Sequence, residues 1–431
     1  MRCCWIGTHV GMRLGLGPEA LWELYYTLLL KDLGCSSNAA RICELYRTDD
    51  RHFKRDFKQV DGSPSQVLRF VFGHTGVGAP LKARLGAVLG ILADGDRIAQ
   101  ELIQTRCQRG ADIARSLRFG ERVAEGIHAL DEHWDGGGRP DGLKGRGIPL
   151  YARIALLAQV IDVFHTADGR DAALSEVRHR AGSWFDPELV RIVESLAHEE
   201  AFWRRLSADD LDDHVVALEP ESRDVALDED YLDAIAEAFG QVVDAKSPYT
   251  AGHSTRVAHY TERLAMELGV SPTRRRWLWR AALLHDVGKL GVSNAILDKP
   301  GRLDPDEWEA VKRHAALSEE ILRRIPALEA LAATAAGHHE RLDGGGYPRG
   351  LSGADISLET RIITTADIFD AITAERPYRG AIPVGRTLEI MAESVGTAID
   401  ARCFEALKAA LRDEGTAAAG NPALDAAAAA R

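Results

Sequence analysis

The stretch VAHYTERLAMELGV, residues 257–270, decides the fold, because Val257, Tyr260, Leu264 and Leu268 recur at spacings of three and four. One face of a 3.6-residue helix is then apolar and the others polar. The same period runs through WEAVKRHAALSEEILRRI, residues 308–325, and through most other long segments, while strand-like alternation is scarce. Ala and Leu are abundant and aromatic residues make up 6% of the chain, a mix that favours helix over strand. The expectation is an all-α protein. A chain of 431 residues is too long for one ordinary hydrophobic core, so two domains are expected.

The formal net charge is −12 and no segment is rich in Lys and Arg, which argues against a polymeric nucleic-acid partner. A small phosphorylated ligand needs only a few local cations and stays open. No apolar run approaches the roughly 18 residues needed to cross a bilayer, so membrane insertion is not expected. The opening MRCCWIGTHVGMRLGLGPEALWEL interrupts its apolar residues with Gly, His, Arg and Glu and reads poorly as a signal peptide. Cys3, Cys4, Cys35, Cys43, Cys107 and Cys403 show no repeated Cys-x-x-Cys spacing, and they read as reduced thiols of a cytoplasmic protein.

Three segments occur twice in the same order. LLKDLGCSSNA at Leu29 matches LLHDVGKLGVSNA at Leu283 with a two-residue insertion, and LGLGP upstream matches LGVSP. DGGGRPDGLKGRGIPLYARIALLAQVIDVF then matches DGGGYPRGLSGADISLETRIITTADIFDAI without a gap. Preserved order points to tandem duplication. The copies differ at chemically useful positions: Lys31 stands for His285, Cys35 for Lys289, Leu130 and Asp131 for His338 and His339, Arg139 for Tyr347, and Gln159 for Asp367. The first copy also begins too late to contain a counterpart of His253. We expect a degenerate regulatory or structural domain at 1–207, a linker at 208–232 with EPES as its break, a second domain at 233–411 and a low-complexity tail at 412–431.

The second copy gathers His253, His285, Asp286, His314, His338, His339 and Asp367. Imidazoles and carboxylates together suit iron, manganese or zinc, and a two-metal site needs about six such ligands from several elements. A lone His253 or His314 would more often be a cap or a surface residue. The His285-Asp286 pair follows the apolar AALL, His338-His339 follows LEALAATAAG, and Asp367 lies among Ile362, Ile363, Ile368 and Ile372. Unpartnered burial of such groups is costly, so a shared ligand explains them better than separate accidents. An ion pair of Asp286 with Lys289 is the bland alternative.

HSTRV, HDVGK, RHAALSEEIL, HHERLDGGGYPRGL, RIITTADIFDAI and ERPYRG, in this order, resemble the HD-GYP domains, a branch of the HD phosphohydrolase superfamily. The resemblance covers about residues 240–410, with a degenerate copy over about 1–205. It implies tandem helical domains, the second with an intact metal site, and hydrolysis of cyclic di-GMP to linear pGpG and on to GMP. By the same resemblance, the seven residues named above are metal ligands, Asp286 bridges, and the cofactors are two divalent or mixed-valence transition metals, iron first and manganese second. Three-metal members carry a Glu where this chain has Tyr249, which favours two. Lys289 and Arg376 are implied as the catalytic cations on the phosphate, with Gly346, Tyr347 and Pro348 of the GYP loop beside the substrate. Lys289, three residues after Asp286, would share its face on a continuous helix. The chemistry that fits is in-line hydrolysis of a phosphodiester, with metals activating water and stabilising the growing charge. A different nucleotide substrate, a sensor or adaptor role through the first copy, a homodimer and a regulatory protein partner all stay open.

Overall fold

The computed structural model describes residues 1–38, 42, 73, 81–220, 227–299, 301–375 and 380–419. Among them the architecture is all-α, the only β pairing being isolated bridges such as Asp343 with Ser352. The chain forms two compact units, Met1–Asp228 and Glu229–Arg431.

In the first unit, α1 (Arg2–Arg13) and α2 (Pro18–Leu30) pack together, and α1 also lies on α5 (Leu150–Asp168). Between them in sequence come α3 (Leu81–Ser116) and α4 (Glu121–His128), and α6 (Arg170–His179) to α9 (Leu211–Ala217) follow. Ile6, Val10, Leu24, Leu28, Ile154, Leu157 and Val193 form the core. Helix α5 is long and apolar enough to cross a membrane by length and composition, contrary to the expectation from sequence. Here its apolar residues are buried in the core of the unit, and core helices pass the same test.

The second unit opens with α10 (Glu229–Asp244) and continues with α11 (His253–Glu267), α12 (Pro272–Leu284), the short α13 (Asn294–Leu297), α14 (Pro305–Arg323) and α15 (Glu329–Ala336). It closes with α16 (Leu358–Thr373), α17 (Val384–Ala392) and α18 (Ala401–Ala419). The period read at 257–270 is realised as α11, whose Val257 and Leu264 are buried while Glu262 and Glu267 face solvent. Pro at the first turn starts α12 and α14, and Asp304 caps α14 in a reciprocal box with Glu307. Helix α11 packs against α12, α16 and α18 around Ala282, Leu284, Ile362, Phe369 and Leu407.

The stretch expected as linker, 208–232, is largely structured. Leu211 and Val215 of α9 are buried in the first core, and the Tyr25 hydroxyl donates to the Val215 carbonyl at 2.9 Å. At its other end, Glu229 already belongs to α10 and pairs with Arg280. Apolar residues four apart and an acidic first turn make helices of segments whose overall acidity reads as linker. The expected break and tail reach residues 221–226 and 420–431, which lie outside the described residues.

Candidate metal centre

The pair His285-Asp286 sits where α12 ends and a 3₁₀ turn, Val287–Gly291, begins. The helix is therefore not continuous through Lys289. The reason is Gly288, where an added Cβ would lie 2.0 Å from the His314 carbonyl oxygen, so the turn is pressed against α14. Residues three apart eclipse in a 3₁₀ turn, and the Lys289 ammonium still reaches the Asp286 carboxylate. Ser318 staples the junction, its hydroxyl donating to the His285 carbonyl and accepting from the Gly288 amide, both at 2.9 Å.

Three histidines are aimed by the same local device. Nδ1 of His285 bonds the carbonyl of Ala282 at 2.6 Å, that of His314 the carbonyl of Val311 at 2.6 Å, and that of His338 the carbonyl of Ala335 at 2.7 Å. A carbonyl only accepts, so each Nδ1 carries the proton and each Nε2 presents a lone pair. His253 is aimed differently, its Nδ1 lying 2.7 Å from Asp370, which Arg256 also holds. Asp244 fixes the start of α11 by accepting from the Ser254 amide and hydroxyl.

All four Nε2 atoms converge on Asp286, and they divide between its oxygens. His253 and His285 lie 3.5 and 3.2 Å from Oδ2, while His314 and His338 lie 3.3 and 3.7 Å from Oδ1. Asp367 joins the first side, 3.3 Å from His253. His339 joins the second, its ring centre 4.0 Å from that of His338. Three three-residue groups with ligand atoms close enough to hold an ion result: His253, His285 and Asp367 on one side, His314, His338 and His339 on the other, and His285, Asp286 and His338 spanning the two. The seven ligand residues read from the sequence thus meet in one place.

The donor set fits cations. His285 is 0% and Asp286 1% exposed, yet His285 Nε2 and Asp286 Oδ1 have no hydrogen-bond partner. His314 Nε2 and His338 Nε2 face each other at 3.4 Å, which for two lone pairs is repulsive unless a cation lies between them. Burial, together with the neighbouring imidazoles, pushes His338 well below the usual histidine range and His339 to about 3, so both stay neutral and able to coordinate. For Asp286 burial opposes ionisation, but His285 and Lys289 outweigh it and hold the carboxyl well below its ordinary range.

The GYP loop covers one side of the cage. An added Cβ at Gly346 would meet the His339 carbonyl oxygen at 2.5 Å, so only glycine allows this close return of the chain. The Tyr347 ring lies against His339, centre to centre 4.7 Å, and Pro348 follows it. The sequence reading missed Glu340, whose buried carboxylate accepts from the amides of Arg349 and Leu351 at 2.7 and 2.8 Å and closes the loop. It also missed Asp370, which its position three residues after Asp367 on one helix could have flagged. Arg376 lies outside the described residues.

Several local contacts of the first unit parallel those of the second. An added Cβ at Gly34 would lie 1.9 Å from the Arg106 carbonyl oxygen, as at Gly288 and His314, so Arg106 occupies the place of His314. Glu132 accepts from the amides of Asp141 and Leu143 as Glu340 does from its loop. The pairs Arg2–Asp162 and Arg153–Asp186 repeat Arg256–Asp370 and Arg361–Asp400. Lys31 pairs with Asp32 and Arg106 with Asp131. Among the described residues of this unit, no group of three His, Cys, Asp or Glu is placed to hold a metal.

The fold and the cage define an all-α protein with a buried cluster of candidate metal ligands. The sequence pattern of the HD domain family matches residues 91–189 and 237–403. The chain is 58% identical over 411 residues to 3'3'-cGAMP-specific phosphodiesterase 3 of Vibrio cholerae serotype O1, covering 95% of this chain and 89% of the relative. It is 39% identical over 158 residues to a cyclic di-GMP phosphodiesterase of Thermotoga maritima, covering 36% of this chain and 43% of that one. A crystal structure of a cyclic GMP-AMP-specific phosphodiesterase of V. cholerae aligns with a TM-score of 0.61 at 52% identity, over 95% of this chain and 92% of that one. The chain belongs to the HD domain family.

Proposed function

We propose that the second unit is a metal-dependent phosphodiesterase that opens a cyclic dinucleotide, and that 3'3'-cGAMP is its preferred substrate. The observation that carries the reading is the placement of Asp286 between two three-residue ligand groups, one on each carboxylate oxygen. Two transition metals, iron or manganese, suit these nitrogen and oxygen donors; when bound they supply an activated water and charge stabilisation at phosphorus. The chain's own residues do the rest. The Nδ1 hydrogen bonds hold the imidazoles in the coordinating tautomer, and Lys289, at the rim of Asp286, donates to a non-bridging phosphate oxygen. Arg376 supplies the second cation, and Gly346, Tyr347 and Pro348 wall the substrate. Attack of water on phosphorus breaks the bond to one ribose 3'-oxygen and leaves a linear dinucleotide with a 5'-phosphate.

The preference for 3'3'-cGAMP is supported by a relative named for that activity matching nearly the whole chain. Cyclic di-GMP, giving pGpG and then GMP, is the second reading, supported by shorter matches to enzymes named for it. The first unit fits a degenerate, metal-free copy that regulates or supports the second. Buried free thiols at Cys3, Cys4, Cys107 and Cys403 suit a cytoplasmic setting. The test is elemental analysis of anaerobically purified protein together with chromatographic assay of both substrates. Two metals per chain and faster turnover of 3'3'-cGAMP are expected. Zero or one metal at full occupancy, or no turnover of either nucleotide, overturns the reading.

A further inference from the structure

Helix α14 turns one face inward, and Ala315 and Leu322 on that face are 0% and 1% exposed. Trp308 lies seven residues before Ala315, two helical turns back on the same face, yet it remains 46% exposed. The largest apolar side chain of the helix is thus left in water at the end of a buried stripe. Its surroundings give that position a use. The Trp308 ring stands edge-on to Tyr347 with centres 6.3 Å apart, and Tyr347 lies against His339 and 6.3 Å from His314. A run of aromatic rings therefore leads from the candidate metal ligands to the surface, ending on a half-exposed indole.

We propose that Trp308 is a specificity residue on which a purine of the substrate stacks while the scissile phosphate sits at the metal centre. The inference rests on the cyclic dinucleotide reading given above and deepens it. A dinucleotide bound through phosphate alone would be held by Lys289 and the metals, which any phosphodiester could use. Every purine presents a π face, and stacking on an aromatic side chain adds binding that a purine-free diester cannot obtain. Trp308 reaches the cage through Tyr347, so its contribution belongs to substrate binding.

The test compares wild type, Trp308→Ala and Trp308→Phe with 3'3'-cGAMP, cyclic di-GMP and the abasic cyclic bis(ribose phosphate) of the same ring, a diester without a purine or any other aromatic group, and measures metal content of each variant. Stacking contributes about 1–3 kcal/mol per base, roughly 5- to 150-fold. For Trp308→Ala the KM for the cyclic dinucleotide should rise within that range while kcat changes little. Its kcat/KM should fall at least fivefold more for the cyclic dinucleotide than for the purine-free diester, with Phe restoring most of the loss. Equal losses on all three diesters, or a fall in metal content with kcat, would assign Trp308 a structural role and overturn the proposal. If wild type hydrolyses neither cyclic dinucleotide, the functional reading falls and this inference with it. If wild type does and Trp308→Ala keeps the wild-type KM, only the role of Trp308 is lost.

Discussion

Replacing Asp286 with Ala removes the carboxylate whose two oxygens face the two sides of the cage, so metal content and activity are expected to disappear together. Lys289→Ala removes a different interaction. The ammonium pairs with Asp286 but belongs to none of the ligand groups, so both metals should remain. If its charge meets the phosphoryl oxygens, the variant loses about 3 kcal/mol of transition-state stabilisation, roughly a hundredfold in kcat, by analogy with removal of an oxyanion donor. Elemental analysis and turnover of 3'3'-cGAMP on the same preparation separate the cases, and wild-type turnover by Lys289→Ala with full metal would leave Lys289 a structural partner of Asp286. Asp370→Asn tests the support of His253. The amide keeps the shape but loses the charge that aligns Nδ1, and partners of this kind are worth about 10- to 100-fold in metal affinity or activity. Competition with a chelator measures the former directly.

At the scale of elements, the junction of α12, its 3₁₀ turn and α14 depends on a glycine. Gly288→Ala would drive a methyl against the backbone of His314, and overpacking of this sort costs about 1–3 kcal/mol. Gly301→Ala is the control, because nothing lies within 4 Å of the added carbon. Thermal unfolding should show a lowered midpoint for the first and none for the second. The ligands at this junction were legible because they come as neighbours: His285 beside Asp286 and His338 beside His339, each after an apolar run that dictates burial. Their supports were not legible in the same way. Glu340 satisfies backbone amides nine and eleven residues ahead, a relation set by the loop's path rather than by a period. Lys289 shares a side with Asp286 in the turn as it would on a continuous helix, because a three-residue offset aligns side chains in both conformations. The counterpart of His314 escaped notice because the repeat loses register after Asn38, and only the contact of Gly34 with the Arg106 carbonyl restores it.

On the scale of the whole chain, the proposed degenerate copy would share the framework of the second unit and differ in what neutralises its centre. In the second, two buried carboxylates and a ring of imidazoles call for external cations. In the first, Lys31 and Arg106 are cations covalently supplied, paired with Asp32 and Asp131 where the other unit has Asp286 and His339. Their stabilities should therefore respond to opposite perturbations. A ligand that binds only the folded form adds RT ln(1 + [L]/Kd) to stability, so a chelator should lower the unfolding midpoint of the second unit and leave the first where it was. Arg106→Met should act the other way. Asp131 is 8% exposed, and stranding one partner of a buried pair costs about 3–5 kcal/mol. Calorimetry of the full chain, with hydrogen exchange to assign each transition to its helices, distinguishes the two effects. A first unit whose helices lose protection on chelation would mean that a metal still resides there, and that Lys31 and Arg106 have not taken its place.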